Sequence, residues 1–151
     1  MNKLAAVSTS NKLTFSAILP VHLPEIWATV SDLLRPAVDR SDGRWTIQAL
    51  FHALYTGGQE LWVGYDENKI VLALTTQRVT YPNCSMLAIQ FLGGSGYDEW
   101  NDDLLAMIET HAKKVGCDGI EAVARFGFWP MFKRHQYVRS HVTYEKIFSE
   151  E

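Results

Sequence analysis

The alternation of apolar and polar positions divides the chain into ten elements. Residues 14–19 alternate as a strand that Pro20 ends. Pro24 suits the first turn of a helix, where its missing N–H is not needed, and Ile26, Val30, Leu33, Leu34 and Ala37 follow at helical spacing. Asp39-Arg40-Ser41-Asp42-Gly43 reads as a turn. A second helix from about Thr46 carries Ile47, Leu50, Phe51 and Leu54 on one face, and Gly57-Gly58 closes it. Residues 61–65 and 70–75 flank a short polar loop, and 84–92 follow the turn at Tyr81-Pro82-Asn83, so an antiparallel meander is expected. Gly93-Gly94-Ser95-Gly96 leads into the strongest helix. There Trp100, Leu104, Ile108, His111 and Val115 recur every three or four residues until Gly116. A strand at 119–124, a short helix opened by Pro130 and a final strand at 137–148 give the order β, α, α, β, β, β, α, β, α, β.

Length and composition fit one folded unit. At 151 residues, 47% hydrophobic and 21% charged, the chain can bury a core. The expected organisation is a flexible N-terminal arm, 1–12, followed by a single domain, 13–151. The first residues carry too few apolar side chains for the roughly 7 to 15 of a signal peptide. No apolar run approaches the roughly 20 residues of a membrane span. A cytoplasmic location, no membrane and reduced Cys84 and Cys117, buried as small hydrophobes, are therefore expected. A net charge of −3 gives no general attraction to nucleic acid. Arg125, Lys133, Arg134, Arg139 and Lys146 nevertheless gather towards one end, against Glu121 and Glu145. They read as a small anion-binding face or as a solvated surface.

From residue 61 onward the order of elements, together with Gly127-Phe128-Trp129-Pro130-Met131-Phe132-Lys133-Arg134-His135-Gln136-Tyr137, resembles the acetyl-coenzyme A-binding half of GNAT N-acetyltransferases. The segments Leu61-Trp62-Val63, Gly93-Gly94 before Trp100, and Gly116-Cys117 before the 125–137 block are similar to small GNAT-like proteins of tailed phages. The resemblance implies an α+β fold, a twisted mixed sheet of about six strands flanked by helices, with two central strands splayed around the cofactor. It also implies that Gly93, Gly94, Ser95 and Gly96 hold the pyrophosphate of acetyl-CoA by backbone N–H groups at a helix N-terminus.

Two departures weaken the enzymatic half of that implication. The loop lacks the family's leading Gln or Arg, and Asp98, Glu99, Asp102 and Asp103 load the following turns with negative charge. Acetyl-CoA binding is therefore expected to be weak or absent. The position of the family's acidic tyrosine on the short helix holds Phe132, which has no proton to give. Glu121 as base and Tyr137 as acid are the remaining catalytic candidates. These departures favour a catalytically degenerate phage-type protein acting as a binding or virion-associated component, with Trp129 and Arg134 touching a protein partner. An acetyl-CoA-dependent N-acetyltransferase of unknown acceptor is the alternative.

Other chemistries fit less well. Ser95 has Gly93 two residues before it, but Tyr97 two after it fails the small-residue requirement of a nucleophile elbow. The same turn lacks the third glycine of a dinucleotide fingerprint. The five histidines share no metal-ligand spacing, and His111 faces an apolar stripe as a hydrogen-bonded core residue would.

Overall fold

The computed structural model describes residues 5–9 and 13–149. Strands β1 (Ala5–Thr9), β2 (Thr14–Ile18), β3 (Glu60–Asp66), β4 (Lys69–Thr80), β5 (Ser85–Gly94) and β6 (Gly119–Ala122) form one sheet in sequence order. Pairing is antiparallel from β1 to β5, and β6 joins β5 in parallel. Helices α1 (Leu23–Asp39) and α2 (Ile47–Tyr55) precede the meander. Helix α3 (Tyr97–Lys114) connects β5 to β6, and α4 (Trp129–Arg134) follows β6.

Strand alternation divides the core into two layers. Leu61, Val63 and Tyr65 of β3 pack with Ile26, Val30, Leu34, Leu50 and Leu54 of α1 and α2. Trp62, between them, points to the other face, where Leu104, Ile108 and Ala112 of α3 and Met131 and Phe132 of α4 lie. Its indole N–H donates to the Thr76 hydroxyl at 3.0 Å, so this buried polar edge is paired. Helix α2 is capped by Thr46, whose hydroxyl accepts from the Ala49 N–H at 3.0 Å.

The meander and the inward Trp100, Leu104 and Ile108 of α3 are as the periodicity predicts. The sixth strand is not the expected one. Within the segment read as an arm, Ala5–Thr9 pairs with β2. Residues 137–148, expected to be the last strand, take no regular structure. The reason lies at the end of α4. Tyr137 N–H bonds to Phe132 O at 3.0 Å and Gln136 N–H to Lys133 O at 3.2 Å, closing the helix with Gln136 at φ 64°. Beyond it Arg139 lies 4.3 Å over the Trp129 ring and Glu145 pairs with Arg44, drawing the segment away from β6.

The same closure ends α3, but with Gly116 at φ 82°. An L-residue in this conformation costs about 1–2 kcal/mol, against about 0.5–1 kcal/mol for the extra freedom that glycine loses. Gln136→Gly is therefore expected to stabilise the fold by about 0.5–1 kcal/mol. That is a rise of about 2–3 °C in a thermal melt for a chain of this size.

Candidate active-site cleft

Strand β5 contains one extra residue relative to β4. Thr75 pairs with Phe91 and Thr76 with Ile89, so Gln90 is bulged out. The bulge reverses the alternation. Leu87 and Ile89 belong to the α3 layer, whereas Phe91, two residues on, belongs to the α1–α2 layer. The Phe91 N–H is satisfied by the Thr75 hydroxyl at 3.1 Å, and the Gln90 amide donates to Gln77 at 3.2 Å.

The bulge also marks where two strands part. Strand β6 pairs with β5 only from Met86 to Ile89, opposite Gly119 to Ala122, and β5 runs on to Gly94 without it. Beyond Ile89 the flank of β5 that carries β6 has no strand beside it, among the described residues, as far as the start of α3. Glu121 sits at the closed end, in register with Ala88. Its carboxylate accepts a 2.7 Å hydrogen bond from the Tyr81 hydroxyl, which raises the Tyr81 pKa. Ala88 to Gly94 is about 20 Å of strand.

The four loop residues do different work. A side chain at Gly93 would meet the Leu33 carbonyl oxygen at 1.8 Å, so this glycine admits α1 against β5. At Gly94 it would meet Val71 O at 2.6 Å. Ser95 presents its carbonyl to the Trp100 indole N–H at 2.9 Å. Gly96 alone of the loop glycines faces open space, with φ 70° and nothing within 4 Å of a side-chain position. It begins α3 without a side-chain cap: the Glu99 N–H turns back to the Gly96 carbonyl at 3.0 Å, and no side chain caps the N–H groups before it. The backbone thus fits an anion such as a pyrophosphate.

The charges around the loop differ between its two flanks. A depression of about 490 Å³ next to the β3–β4 turn is lined by Asp66, Glu67 and Glu99 with Ser95 and Gly96, so that flank is acidic. On the flank towards α4, Asp102 does not stand as a bare charge. His135 Nε2 lies 2.7 Å from its carboxylate, and Arg134 reaches both Asp102, at 3.4 Å, and the buried Asn101, at 2.9 Å. The bond to His135, then Arg134, lowers the Asp102 pKa. Of the four acids after Gly96, Asp102 is therefore an ionised but paired carboxylate, held by residues 32 and 33 positions away.

The remaining candidates are dispersed. Phe132 is buried in the α3–α4 layer. Tyr137 tilts against it with centroids 4.8 Å apart. Burial and then the charge of Glu109 push the Tyr137 pKa up to about 12, and its buried hydroxyl has no hydrogen-bond partner. Glu109 lies thirteen residues after Gly96, about 20 Å along α3, so Tyr137 is not brought to the loop. Trp129 is half-buried at the start of α4, beneath Arg139. His111 lies edge-on to Trp62, centroids 4.6 Å apart. Its Nε2 has Glu60 at 3.7 Å rather than the expected hydrogen bond. Cys84 and Cys117 are free and half-buried. Among the described residues no three metal-ligating side chains gather, and no helix is long and apolar enough to cross a membrane.

Three features were hidden from the sequence: the bulge at Gln90, the Tyr81–Glu121 pair and the Asp102 cluster. The bonds that define them join residues 16, 40 and 33 positions apart. The Gly93-to-Gly96 run was the signal available for the open end of the cleft.

No family model matches the sequence and no curated protein is similar to it. Solved structures share its fold. An aminoglycoside acetyltransferase from an uncultured soil metagenomic sample superposes with a TM-score of 0.68 at 15% identity, over 95% of this chain and 100% of that one. A GNAT family acetyltransferase of Staphylococcus aureus gives 0.62 at 15% identity, over 91% and 99%. A predicted acetyltransferase of Clostridium acetobutylicum, solved with acetyl-CoA, gives 0.63 at 12% identity, over 89% and 96%. The chain has the α+β fold of the GNAT acetyltransferases, a twisted sheet flanked by helices.

Proposed function

We propose that the chain is an acetyl-CoA-dependent N-acetyltransferase of low cofactor affinity, acting on an amine. The observation that carries this is the parting of β5 and β6 beyond Ile89 and Ala122, with a carboxylate at the closed end and an uncapped helix N-terminus at the open end. Several solved structures with this fold are acetyltransferases, one of them holding acetyl-CoA. In this reading the first N–H groups of α3 hold the pyrophosphate, helped by the positive end of the helix dipole. The pantetheine arm lies in the gap along β5. When bound, acetyl-CoA supplies an activated acyl thioester. Glu121 takes the proton from the incoming ammonium so that the amine can attack, and Tyr81 holds that carboxylate in place. Phe132 supplies no proton and the Tyr137 hydroxyl is enclosed, so the departing thiolate is protonated by solvent.

Asp98 and Glu99 keep the affinity low. They stabilise α3 by about 0.3–1 kcal/mol each, while repelling a pyrophosphate at the same N-terminus. Changing both, Asp98→Asn with Glu99→Gln, is expected to move two measurements in opposite directions. The ligand-free melting temperature falls by a few degrees. Acetyl-CoA affinity by calorimetry rises about 5–30-fold, from two exposed charges at about 0.5–1 kcal/mol each. An unchanged affinity would place the pyrophosphate elsewhere.

A second reading keeps the scaffold without catalysis, as a binding component, with the virion as one setting that the phage resemblance offers. Phe132 at the acid's position favours it. In that case Trp129 and Arg134 contact a protein partner. Absence of acetyl transfer to a panel of polyamines, aminoglycosides and lysine peptides, at millimolar acetyl-CoA, would decide for this reading.

A further inference from the structure

Most of the polar side chains buried among the described residues are paired. Ser31 donates to the Ala28 carbonyl, Thr75 accepts from the Phe91 N–H, Thr76 from the Trp62 indole and Asn101 from Arg134. Ser16 and Gln59 are the exceptions. Ser16 leaves one hydroxyl without a partner. Gln59, only 3% exposed, leaves a whole carboxamide, since neither its Nε2 nor its Oε1 has a hydrogen bond. A buried donor and acceptor left unmade are costly, whereas an apolar side chain of the same size would not be. The amide thus adds nothing to folding and is available to a ligand.

Gln59 borders a recess of about 200 Å³, where the end of β2, the first turn of α1, the end of α2 and the start of β3 meet. Ile18, Leu23, Leu54 and Leu61 give it apolar walls, and all four belong to the α1–α2 layer. Gln59 stands two residues before Leu61, hence on the same face of the sheet. Its backbone is fixed, because its N–H donates to the Ala53 carbonyl at 3.1 Å as α2 closes. The covered amide is less constrained, since the last torsion of a glutamine is broad and roughly two-fold. A turn about that bond changes which amide edge meets the recess. The recess is separate from the cleft: β3 lies two strands from β5, about 10 Å across the sheet.

We propose that this recess binds a neutral ring that carries an N–H beside a C=O, a cyclic amide of the lactam type. A carboxamide presents its oxygen and one of its N–H groups side by side on one edge. Both are satisfied together only by an acceptor and a donor that are likewise side by side. A trans peptide points its N–H and C=O in opposite directions and satisfies one of them at a time. An amide held cis in a ring satisfies both. Volume sets the size of the ligand. A cavity of about 150 Å³ holds benzene, so this recess takes a ring compound of roughly six to eight non-hydrogen atoms. Charge sets its neutrality. The walls offer no buried charge, and Glu60 at the rim disfavours an anion.

The test uses the full chain with ε-caprolactam as the probe, followed by heteronuclear NMR. Titration is expected to shift the Gln59 side-chain amide together with the backbone signals of Leu23, Leu54 and Leu61. The shifts should saturate with a dissociation constant of about 1 mM or below. N-methylcaprolactam keeps the ring and the carbonyl but has no N–H. It is expected to bind at least about tenfold more weakly, through the loss of one hydrogen bond. Gln59→Leu is expected to weaken caprolactam binding by about tenfold or more, with a melting temperature equal to or above that of the native protein. The proposal is overturned by the absence of saturable shifts at about 20 mM probe, by shifts confined to other residues, or by equal affinity for the two lactams. Undiminished binding by Gln59→Leu overturns it as well. The comparison of the two lactams needs only the native protein, so it decides the matter whether or not the variant folds.

Discussion

Gly93→Ala is expected to destabilise the protein by at least about 3 kcal/mol, at or beyond the upper end of ordinary overpacking. The added carbon would lie 1.8 Å from the Leu33 carbonyl oxygen and 2.7 Å from its carbonyl carbon. Both are backbone atoms of α1, so no side-chain rotation relieves the clash and the helix must move off the sheet. That movement separates Val30 and Leu34 from Phe91 and Ala73, the centre of one core layer. For a chain of this size the melting temperature should fall by about 6–12 °C. Gly96→Ala provides the contrast. It meets nothing within 4 Å and suffers only from φ 70°, a cost of about 1–2 kcal/mol. Thermal melts of the two variants side by side separate the roles, and equal losses would refute the packing role of Gly93.

That contrast shows what a linear reading can and cannot extract. The meander was legible because Leu61, Val63 and Tyr65 alternate with Trp62, and α3 because Trp100, Leu104 and Ile108 recur at helical steps. Local rules also placed the ends of α2 and α3, at Thr46 and Gly116. The Gly93-to-Gly96 run was legible as a turn, yet it looked like one cradle. Only the approach of Leu33, sixty residues earlier, reveals that its first glycine serves packing. The acids after Gly96 were likewise countable, but their effective charge was not, because Arg134 and His135 reach Asp102 from α4. Residues 137–148 were misread for a different reason. Their propensity is that of a strand, but a strand is defined by its partner, and the chain directs the segment elsewhere.

Glu121→Gln is expected to lower the rate of acetyl transfer by about 100- to 10,000-fold while leaving acetyl-CoA binding unchanged. The substitution keeps the size of the side chain and an oxygen to accept from Tyr81, at 2.7 Å in the native protein, so the local fold should hold. It removes the one property that matters to the proposal, the capacity to take a proton from the amine. Binding is followed independently as the rise in melting temperature with acetyl-CoA. At 100 times the dissociation constant this corresponds to about 2.7 kcal/mol, and it should be equal in the variant and the native protein. Tyr81→Phe tests the positioning role. It leaves the carboxylate in place but frees it to rotate, so kcat should fall by a smaller factor, about tenfold, with acetyl-CoA affinity again unchanged. Three patterns separate the readings. Loss of rate with binding intact supports Glu121 as the base. Loss of both means that Glu121 supports the cleft rather than the chemistry. A native rate that survives Glu121→Gln removes the carboxylate from the mechanism and moves the search for a base to the acceptor side of the gap.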